Sequence, residues 1–431
     1  MATASASGEG IRRGPTLFGH PAGLTVLFTT QMWAEFSFFG LQAMLVYYMT
    51  KQLGFPQSKS SLIYGAYGGA AFFSPFFGGL IADRWLGRTK AVIAGGTMMM
   101  LGHFAMAFPA LLFPALALVA LGNGLFIPPL AIQVGSLYAD DDPRKAYAYS
   151  AYYMGINLGG FLAPLVCGTL GELYGWHWGF TAAGVGMAIG LAIYCSFLKL
   201  LPPEPNRALL AAEGQPGAAP VIRKHVAILL LMIAMIVLFR IGYEQSGNVI
   251  ALWVSDFTDR SIPLLGTGAA IPATWFQSIN PLLIIVGTPI LIRFWKATKA
   301  KETTPDLLKR MAIGCVIAAA AMLTMVLAAL ASGPGGARVS SLWVFGYFFL
   351  LTLGELFVIP VGLTLVESLS PVRFASMAMG GWYIAKFLGS LLAGFMGAYW
   401  LVIPPWAFFS LGMASTLLAA VCLAVMARVL R

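Results

Sequence analysis

Five ionisable side chains stand within otherwise apolar, helix-length segments of this sequence: Glu35, Arg240, Glu244, Glu355 and Lys386. A charge inside a bilayer is costly, so it is usually paired, faces a water-filled cavity, or marks the path of a substrate or ion. The three carboxylates can take up and release protons. The two cations can neutralise them or bind an anionic group. These five residues are therefore the first candidates for function.

The segments around these residues indicate a membrane protein. Hydrophobic residues make up 59% of the 431 residues and charged residues only 10%, a balance that no water-soluble domain of this length can solvate. Windows of about 20 apolar residues, each long enough to span a bilayer, predict an all-α polytopic protein with twelve transmembrane helices. The predicted spans are 22–50, 62–82, 90–109, 112–132, 146–168, 178–200, 226–254, 268–293, 309–331, 341–367, 374–399 and 405–428.

The distribution of positive charge predicts the orientation. Of the 26 lysines and arginines, the loops predicted outside hold four and the interiors of the spans hold two, which leaves 20 in the predicted cytoplasmic segments or at the cytoplasmic ends of the spans. This bias predicts that the protein crosses a cell membrane many times, with both termini on its cytoplasmic side. The Ala- and Gly-rich composition suggests a bacterium, so a bacterial inner membrane is expected. The net charge of +10 therefore reflects topology, not nucleic-acid binding.

The longest polar interruption divides the chain. We predict a cytoplasmic tail (1–21), a six-helix half (22–200), a cytoplasmic linker (201–225) and a second six-helix half (226–431). Two six-helix halves are the arrangement of major facilitator transporters, whose substrate site lies near the membrane midplane between the halves. The loop after the second span resembles that superfamily's signature and predicts a conformational latch formed by Gly79, Asp83, Arg84 and Arg88.

Motifs along nearly the whole chain resemble the proton-dependent oligopeptide transporter family within this superfamily. The stretches that resemble it are 20–24, 63–67, 153–159, 175–180, 243–247, 275–281 and 354–360. The resemblance implies binding of a small peptide-like substrate and coupling to protons, with no cofactor. Neither metal-ligand spacing among His, Cys and acids nor the residue set of an intramembrane enzyme is apparent. We expect a monomer in the lipid bilayer, and not an enzyme.

The first span departs from the family. The resemblance implies E-x-x-E-R there, with acids that couple protons and an arginine that faces the peptide carboxylate, but this chain has Gln31, Ala34 and Glu35. The lysine of the fourth span is Ile127. Both cations implied for a peptide C-terminus are thus absent. We expect dialanine to bind poorly, and amidated, cationic or conjugated peptides to bind better, unless Arg240 or Lys386 binds the carboxylate of a substrate of different length or orientation.

The candidate site follows from these residues. Gln31, Glu35 and Gln42 form one polar stripe on a helix, and Arg240 and Glu244 stand four residues apart, as a static or a switching pair. Lys386 either binds a substrate anion or neutralises Glu355. The predicted substrate-binding residues are Gln31, Glu35, Phe39, Tyr64, Tyr67, Asn157, Asn280, Glu355, Trp382 and Lys386. The predicted proton-coupling or gating residues are Glu35, Arg240, Glu244 and Glu355.

The function expected is secondary active transport of peptides or peptide-like compounds by alternating access. Two alternatives remain open. One is a non-peptide substrate such as a siderophore, a drug or a cell-wall fragment. The other is a membrane sensor that does not transport. No nucleotide-binding motif is present, so the energy for transport would come from an ion gradient or the substrate's own gradient.

Overall fold

The computed structural model of the chain describes residues 16–17, 19–139, 142–204, 223–261, 270–297, 303–369 and 375–430. Its elements are almost all helical. Because a bilayer interior offers no water to hydrogen-bond backbone N–H and C=O groups, long apolar segments form helices, in which these groups bond to each other. The helices of the first half are α1 (Ala22–Tyr47), α2 (Gln57–Ile81), α3 (Arg88–Ala105), α4 (Leu112–Gly135), α5 (Arg144–Ala163), α6 (Thr169–Tyr174) and α7 (Trp176–Ser196).

The second half continues in the same way. Its helices are α8 (Arg223–Tyr243), α9 (Val249–Phe257), α10 (Ile279–Ala297), α11 (Thr304–Ser332), α12 (Leu342–Leu369), α13 (Ala375–Gly397) and α14 (Pro405–Val429). Two short sheets join the loops. Strands β1 (Thr16–Leu17) and β2 (His20–Pro21) pair antiparallel, and β3 (Thr258–Asp259) and β4 (Val339–Ser340) pair parallel.

Every predicted span overlaps one of these helices. Within the described residues, eight helices are long and apolar enough to cross a membrane by length and composition alone. The all-α polytopic prediction is therefore confirmed, while the count of twelve spans and the position of the termini stay predictions. Most of the predicted linker lies outside the described residues.

Two helical columns are broken near their middle. Pro164, which has no backbone N–H to donate, begins a π-helical segment (Pro164–Gly168) between α5 and α6. In the second half, a 3₁₀ segment (Glu244–Gly247) separates α8 from α9. The sequence pattern had predicted continuous helices at both places. Interrupted helices free backbone groups and commonly occur beside binding sites of transporters.

Small residues allow the helices to approach closely. Gly78 on α2 faces Gly124 on α4 so tightly that a Cβ added at Gly78 would overlap the Gly124 carbonyl. Between the halves, a Cβ added at Gly65 on α2 would lie 2.6 Å from the Cα of Gly394 on α13. Such backbone contacts are typical of membrane helix packing, which has no hydrophobic effect between helices to drive it.

Polar contacts also join the halves at one end of the bundle, here named the outer end because the charge pattern places it outside the cell. Glu172 on α6 accepts hydrogen bonds from the backbone N–H groups of Ala273 (2.9 Å) and Thr274 (2.8 Å), and its carboxylate lies 3.8 Å from Nη1 of Arg260. Nζ of Lys51 lies 3.6 Å from a carboxylate oxygen of Asp256. These two contacts, named the outer clasps, connect the two halves at the outer end.

We expect Gly78→Ala to destabilise the protein by about 1–3 kcal/mol, the usual range for overpacking. The physical reason is that the neighbouring atoms belong to the α4 backbone and cannot rotate away. Gly346→Ala is the matched control, because a Cβ at that helical position meets nothing within 4 Å. Thermal melting in detergent measures both, and equal melting temperatures for the two variants would contradict the tight α2–α4 contact.

We expect Glu172→Gln to shift the protein toward states with an open outer end. Hydrogen bonds to a charged group contribute about 1.5–3 kcal/mol, so their loss changes the ratio of closed to open states by about tenfold or more. Spin labels on cysteines introduced at Lys59 and Arg338, with the four native cysteines replaced by alanine, report the distance across the outer end.

The control is Glu204→Gln, which removes a carboxylate of the predicted linker that accepts hydrogen bonds from backbone N–H groups of α3 in the first half. Its distance distribution should match that of the unsubstituted chain. If Glu172→Gln also leaves the distribution unchanged, the clasp at Glu172 does not hold the outer end.

Candidate functional site

The acid on α1 is part of a chain of polar side chains. Nε2 of Gln31, one helical turn earlier, donates to Oε1 of Glu35 (2.6 Å), and the Tyr152 hydroxyl on α5 donates to Oε1 of Gln31 (2.8 Å). Glu35 is only 8% exposed. Among the described residues, the second carboxylate oxygen of Glu35 accepts no hydrogen bond, so the carboxylate keeps capacity for a further partner.

The third member of the predicted stripe, Gln42, is separate from this chain. Its Nε2 donates to the Tyr64 hydroxyl on α2 (3.1 Å). Tyr67, one turn further along α2, stacks on Phe38 with a ring-centroid distance of 6.0 Å, and its buried hydroxyl has no hydrogen-bond partner among the described residues. Phe39 contacts Phe38 edge-on. The α1–α2 wall of the site is therefore aromatic, with two tyrosine hydroxyls.

Arg240 and Glu244 form a buried ion pair at the junction of α8 and the 3₁₀ segment. They are exposed at 5% each. The guanidinium also lies over the rings of Phe72 (5.4 Å from the centroid) and Tyr243 (4.8 Å), while its Nε is buried without a hydrogen-bond partner among the described residues. The pair neutralises both charges locally.

Glu355 on α12 is held by two neighbouring helices. Its Oε1 accepts a hydrogen bond from the Tyr243 hydroxyl (3.0 Å) and its Oε2 accepts one from Nδ2 of Asn280 (2.8 Å). Asn280 also donates to the Thr352 hydroxyl. Glu355 is 9% exposed. Asn280 thus contacts an acid of the site directly, whereas Asn157 on α5 donates to the backbone carbonyl of Tyr153 (3.0 Å).

Lys386 on α13 lies among these groups. Its Nζ is 4.7 Å from the centroid of the Phe72 ring and 5.8 Å from that of Tyr383. It interacts electrostatically with Arg240, Glu244, Glu35 and Glu355. In the part of the chain that the structure describes, however, no carboxylate lies within 4.0 Å of Nζ of Lys386. Glu355 is therefore hydrogen-bonded to Tyr243 and Asn280 and does not form an ion pair with Lys386.

Trp382, one turn before Lys386, is 3% exposed and packs against Gly362 on α12, where an added Cβ would lie 2.6 Å from the indole. Its position is that of a helix-packing residue in this conformation. A separate crevice of about 450 Å³ between α1, α5 and α7 is lined by apolar side chains, among them Trp33 and Phe36, and carries no ionisable group. The chemistry therefore lies at the centre of the bundle, not in that crevice.

The latch stays a prediction, and beside it the structure shows a contact that sequence reasoning missed. Asp83 and Arg84 lie exposed in a π-helical segment (Ala82–Leu86), and neither makes a hydrogen bond or ion pair with the described residues. Gly79 approaches Pro128 on α4. The N-terminus of α3 is instead capped by Glu204, whose carboxylate accepts the N–H groups of Arg88 (3.1 Å) and Thr89 (2.6 Å).

The surroundings of Glu204 fit that role. Partial burial opposes its ionisation, but the hydrogen bonds from Thr89 and Arg88 prevail and hold the pKa of Glu204 below its usual value. The side chain of Arg88 donates to the Ser136 hydroxyl (3.2 Å). A carboxylate at a helix N-terminus is favourable. Because 115 residues separate Glu204 from Thr89, no local pattern could have revealed the contact.

Among the described residues, no group of three or more His, Cys, Asp and Glu side chains is placed to hold a metal ion. His103 on α3 is fully buried, and neither ring nitrogen has a hydrogen-bond partner within the described chain. The expected absence of a metal or cofactor stays an expectation.

Comparison with known proteins identifies relatives along nearly the whole chain. A family profile described as PTR2, POT family, matches residues 89–203 and 219–404. The chain is 33% identical to the peptide transporter YePEPT of Yersinia enterocolitica subsp. palearctica, over 90% of this chain and 89% of that protein. It is 31% identical to a di-/tripeptide transporter of Lactococcus lactis subsp. cremoris, over 86% of this chain and 88% of the relative.

Solved structures also match the chain along nearly its whole length. A point variant of the peptide transporter POT in complex with alafosfalin matches with a TM-score of 0.85 and 29% identity, over 96% of each chain. The major facilitator fold predicted from the sequence, and with it a multi-pass protein of the cell membrane, is therefore confirmed. Since the profile covers more than half of its length and relatives match nearly end to end, this chain belongs to the POT family.

Proposed function

We propose that the chain is a secondary active transporter that moves peptides or peptide-like compounds across the bacterial inner membrane by alternating access. Its membership of the POT family supports this, as do relatives named for peptide or di-/tripeptide transport and a structural relative bound to alafosfalin. The working form would be a monomer in the lipid bilayer with twelve spans, both termini in the cytoplasm and a division between the halves at 201–225.

One observation carries the proposal: three acids and Arg240 are buried near the interface of the two halves, and Lys386 lies there half-buried. Glu35 belongs to the first half, and Arg240, Glu244, Glu355 and Lys386 belong to the second. Such groups are costly in a membrane unless they take part in binding or ion movement. A substrate entering between the halves would contact both sets, and its binding would favour the state that encloses it.

The remaining predicted residues fit the walls of this site. Tyr64 and Phe39 supply an aromatic surface on the first half, beside Gln31 and Tyr67. Asn157 and Asn280 offer amide groups from the two halves. Trp382 would act through its packing against α12. Gly79, Asp83, Arg84 and Arg88 would form a latch in another conformation, since Asp83 and Arg84 are free of polar contacts with the described residues here.

Proton coupling would pass through acids of the second half. Gln31 and Ala34 replace the acids that the family resemblance implies on α1, so this helix lacks that switch. Glu244 can change partners if a proton releases it from Arg240. Glu355 can exchange its bonds to Tyr243 and Asn280 for a substrate ammonium. Glu35 offers a third carboxylate on the opposite wall.

In proteoliposomes with an inward proton gradient, we expect uptake of a transported peptide to rise as the outside pH falls. Glu244→Gln and Glu355→Gln each imitate the protonated acid permanently. The variant that replaces the coupling residue should therefore give uptake that does not change with pH, measured as the initial rate between about pH 5 and about pH 8.

Asp142→Asn is the matched control, because Asp142 pairs with Arg144 in an exposed loop. Its pH profile should follow that of the unsubstituted chain. If both Glu variants keep the full pH dependence, the proposed route is wrong. If the unsubstituted chain takes up no peptide in either direction, the transport function itself is refuted.

A further inference from the structure

The inward face of α13 carries a cation, Lys386, that forms no ion pair with a carboxylate of the described residues. On this helix Ile384 and Leu388 are exposed at 43% and 39%, whereas Trp382 and Ala385 are exposed at 3% and 0%. Lys386 follows Trp382 by one turn and therefore shares its face. Nζ of Lys386 accordingly reaches Phe72 of α2, across the interface between the halves.

A second cation flanks the same ring. The Cζ atom of Arg240 lies 5.4 Å from the centroid of Phe72, and Nζ of Lys386 lies 4.7 Å from it. The contact between α8 and α13 is close, since a Cβ added at Gly389, one turn after Lys386, would overlap the Arg240 side chain. Two positive charges thus lie over the same aromatic ring.

Of these two cations, only Arg240 has a carboxylate within 4.0 Å among the described residues. Glu244 pairs with Arg240, and Glu355 is engaged by Tyr243 and Asn280. The buried Nε of Arg240 has no acceptor among the described residues. A cation in a membrane interior that no carboxylate contacts is unfavourable, so an anionic group that enters here gains both the Coulomb attraction and the unused donors.

We infer that Lys386, flanked by Arg240 and Phe72, binds the carboxylate of the transported peptide. The inference rests on the proposed transport function and names the specificity-determining residue of that site. It places the substrate carboxylate on the second half, while Glu35, with a carboxylate oxygen that Gln31 does not occupy, is on the first half and suits the substrate ammonium. A free carboxylate is then rejected at α1 but accepted at α13.

The test compares binding of dialanine, trialanine and tetraalanine with binding of their C-terminal amides. Purified full-length protein, Lys386→Gln, Lys386→Arg and the exposed control Lys296→Gln are titrated in nanodiscs. We expect the unsubstituted chain and Lys296→Gln to bind at least one free peptide about tenfold or more tightly than its amide, because hydrogen bonds to a charged group are strong. Lys386→Gln should bring this ratio to about one, and Lys386→Arg should keep a preference.

The outcomes separate the two proposals. If the unsubstituted chain binds no peptide and no amide, the transport function and the carboxylate site both fail. If it binds peptides but Lys386→Gln leaves the acid-to-amide ratio unchanged, only the carboxylate site fails. Inorganic phosphate serves as a free anion: if it stabilises the unsubstituted chain but not Lys386→Gln, with no preference for the peptide acid, Lys386 holds a free anion and the inference is overturned. Lys386→Met replaces Lys386→Gln if the latter does not fold.

Discussion

The loss of hydration that a charge suffers inside a membrane protein is the constraint on which the centre of this structure depends. Each buried acid compensates for this loss of hydration through different partners. Glu244 pairs with Arg240 on its own helical column, Glu355 accepts hydrogen bonds from two neighbouring helices, and Glu35 uses Gln31 on its own helix. Because the partners of Glu355 come from α8 and α10, satisfying this acid also fixes how three helices of the second half meet.

The need to compensate a buried charge also explains why the acids differ in which partners they can exchange for a proton or a substrate. An ion pair within one helix does not change when the halves move, unless protonation breaks it. Glu355 and Glu35 instead accept hydrogen bonds from neutral donors, which a substrate ammonium can replace without leaving a buried charge unpaired. Lys386 makes neither a hydrogen bond nor an ion pair with the described residues. It is therefore the charged group of the site that an anionic substrate group would stabilise most.

Carboxylates at helix N-termini act at both ends of the bundle. Glu204 caps α3 within the first half, whereas Glu172 reaches from the first half to the backbone N–H groups that precede α10 in the second. Both exploit the unpaired N–H groups and the dipole of a helix start. The first contact can persist through a rearrangement of the halves, but the second must break if the outer end opens.

The sequence by itself determined the membrane class, the approximate spans, the halves and the five interior charges, because these depend on composition and on patterns within 20 residues. It also indicated the Arg240–Glu244 pair and the Gln31–Glu35 contact, since residues four apart share a helix face. Only the tertiary structure decided that Glu204 caps α3, that Glu172 forms an outer clasp, and that Lys386 lies beside Phe72 and Arg240. These contacts join residues from 88 (Glu172 to Arg260) to more than 300 positions apart, and their geometry follows from how whole helices pack, which no local pattern contains.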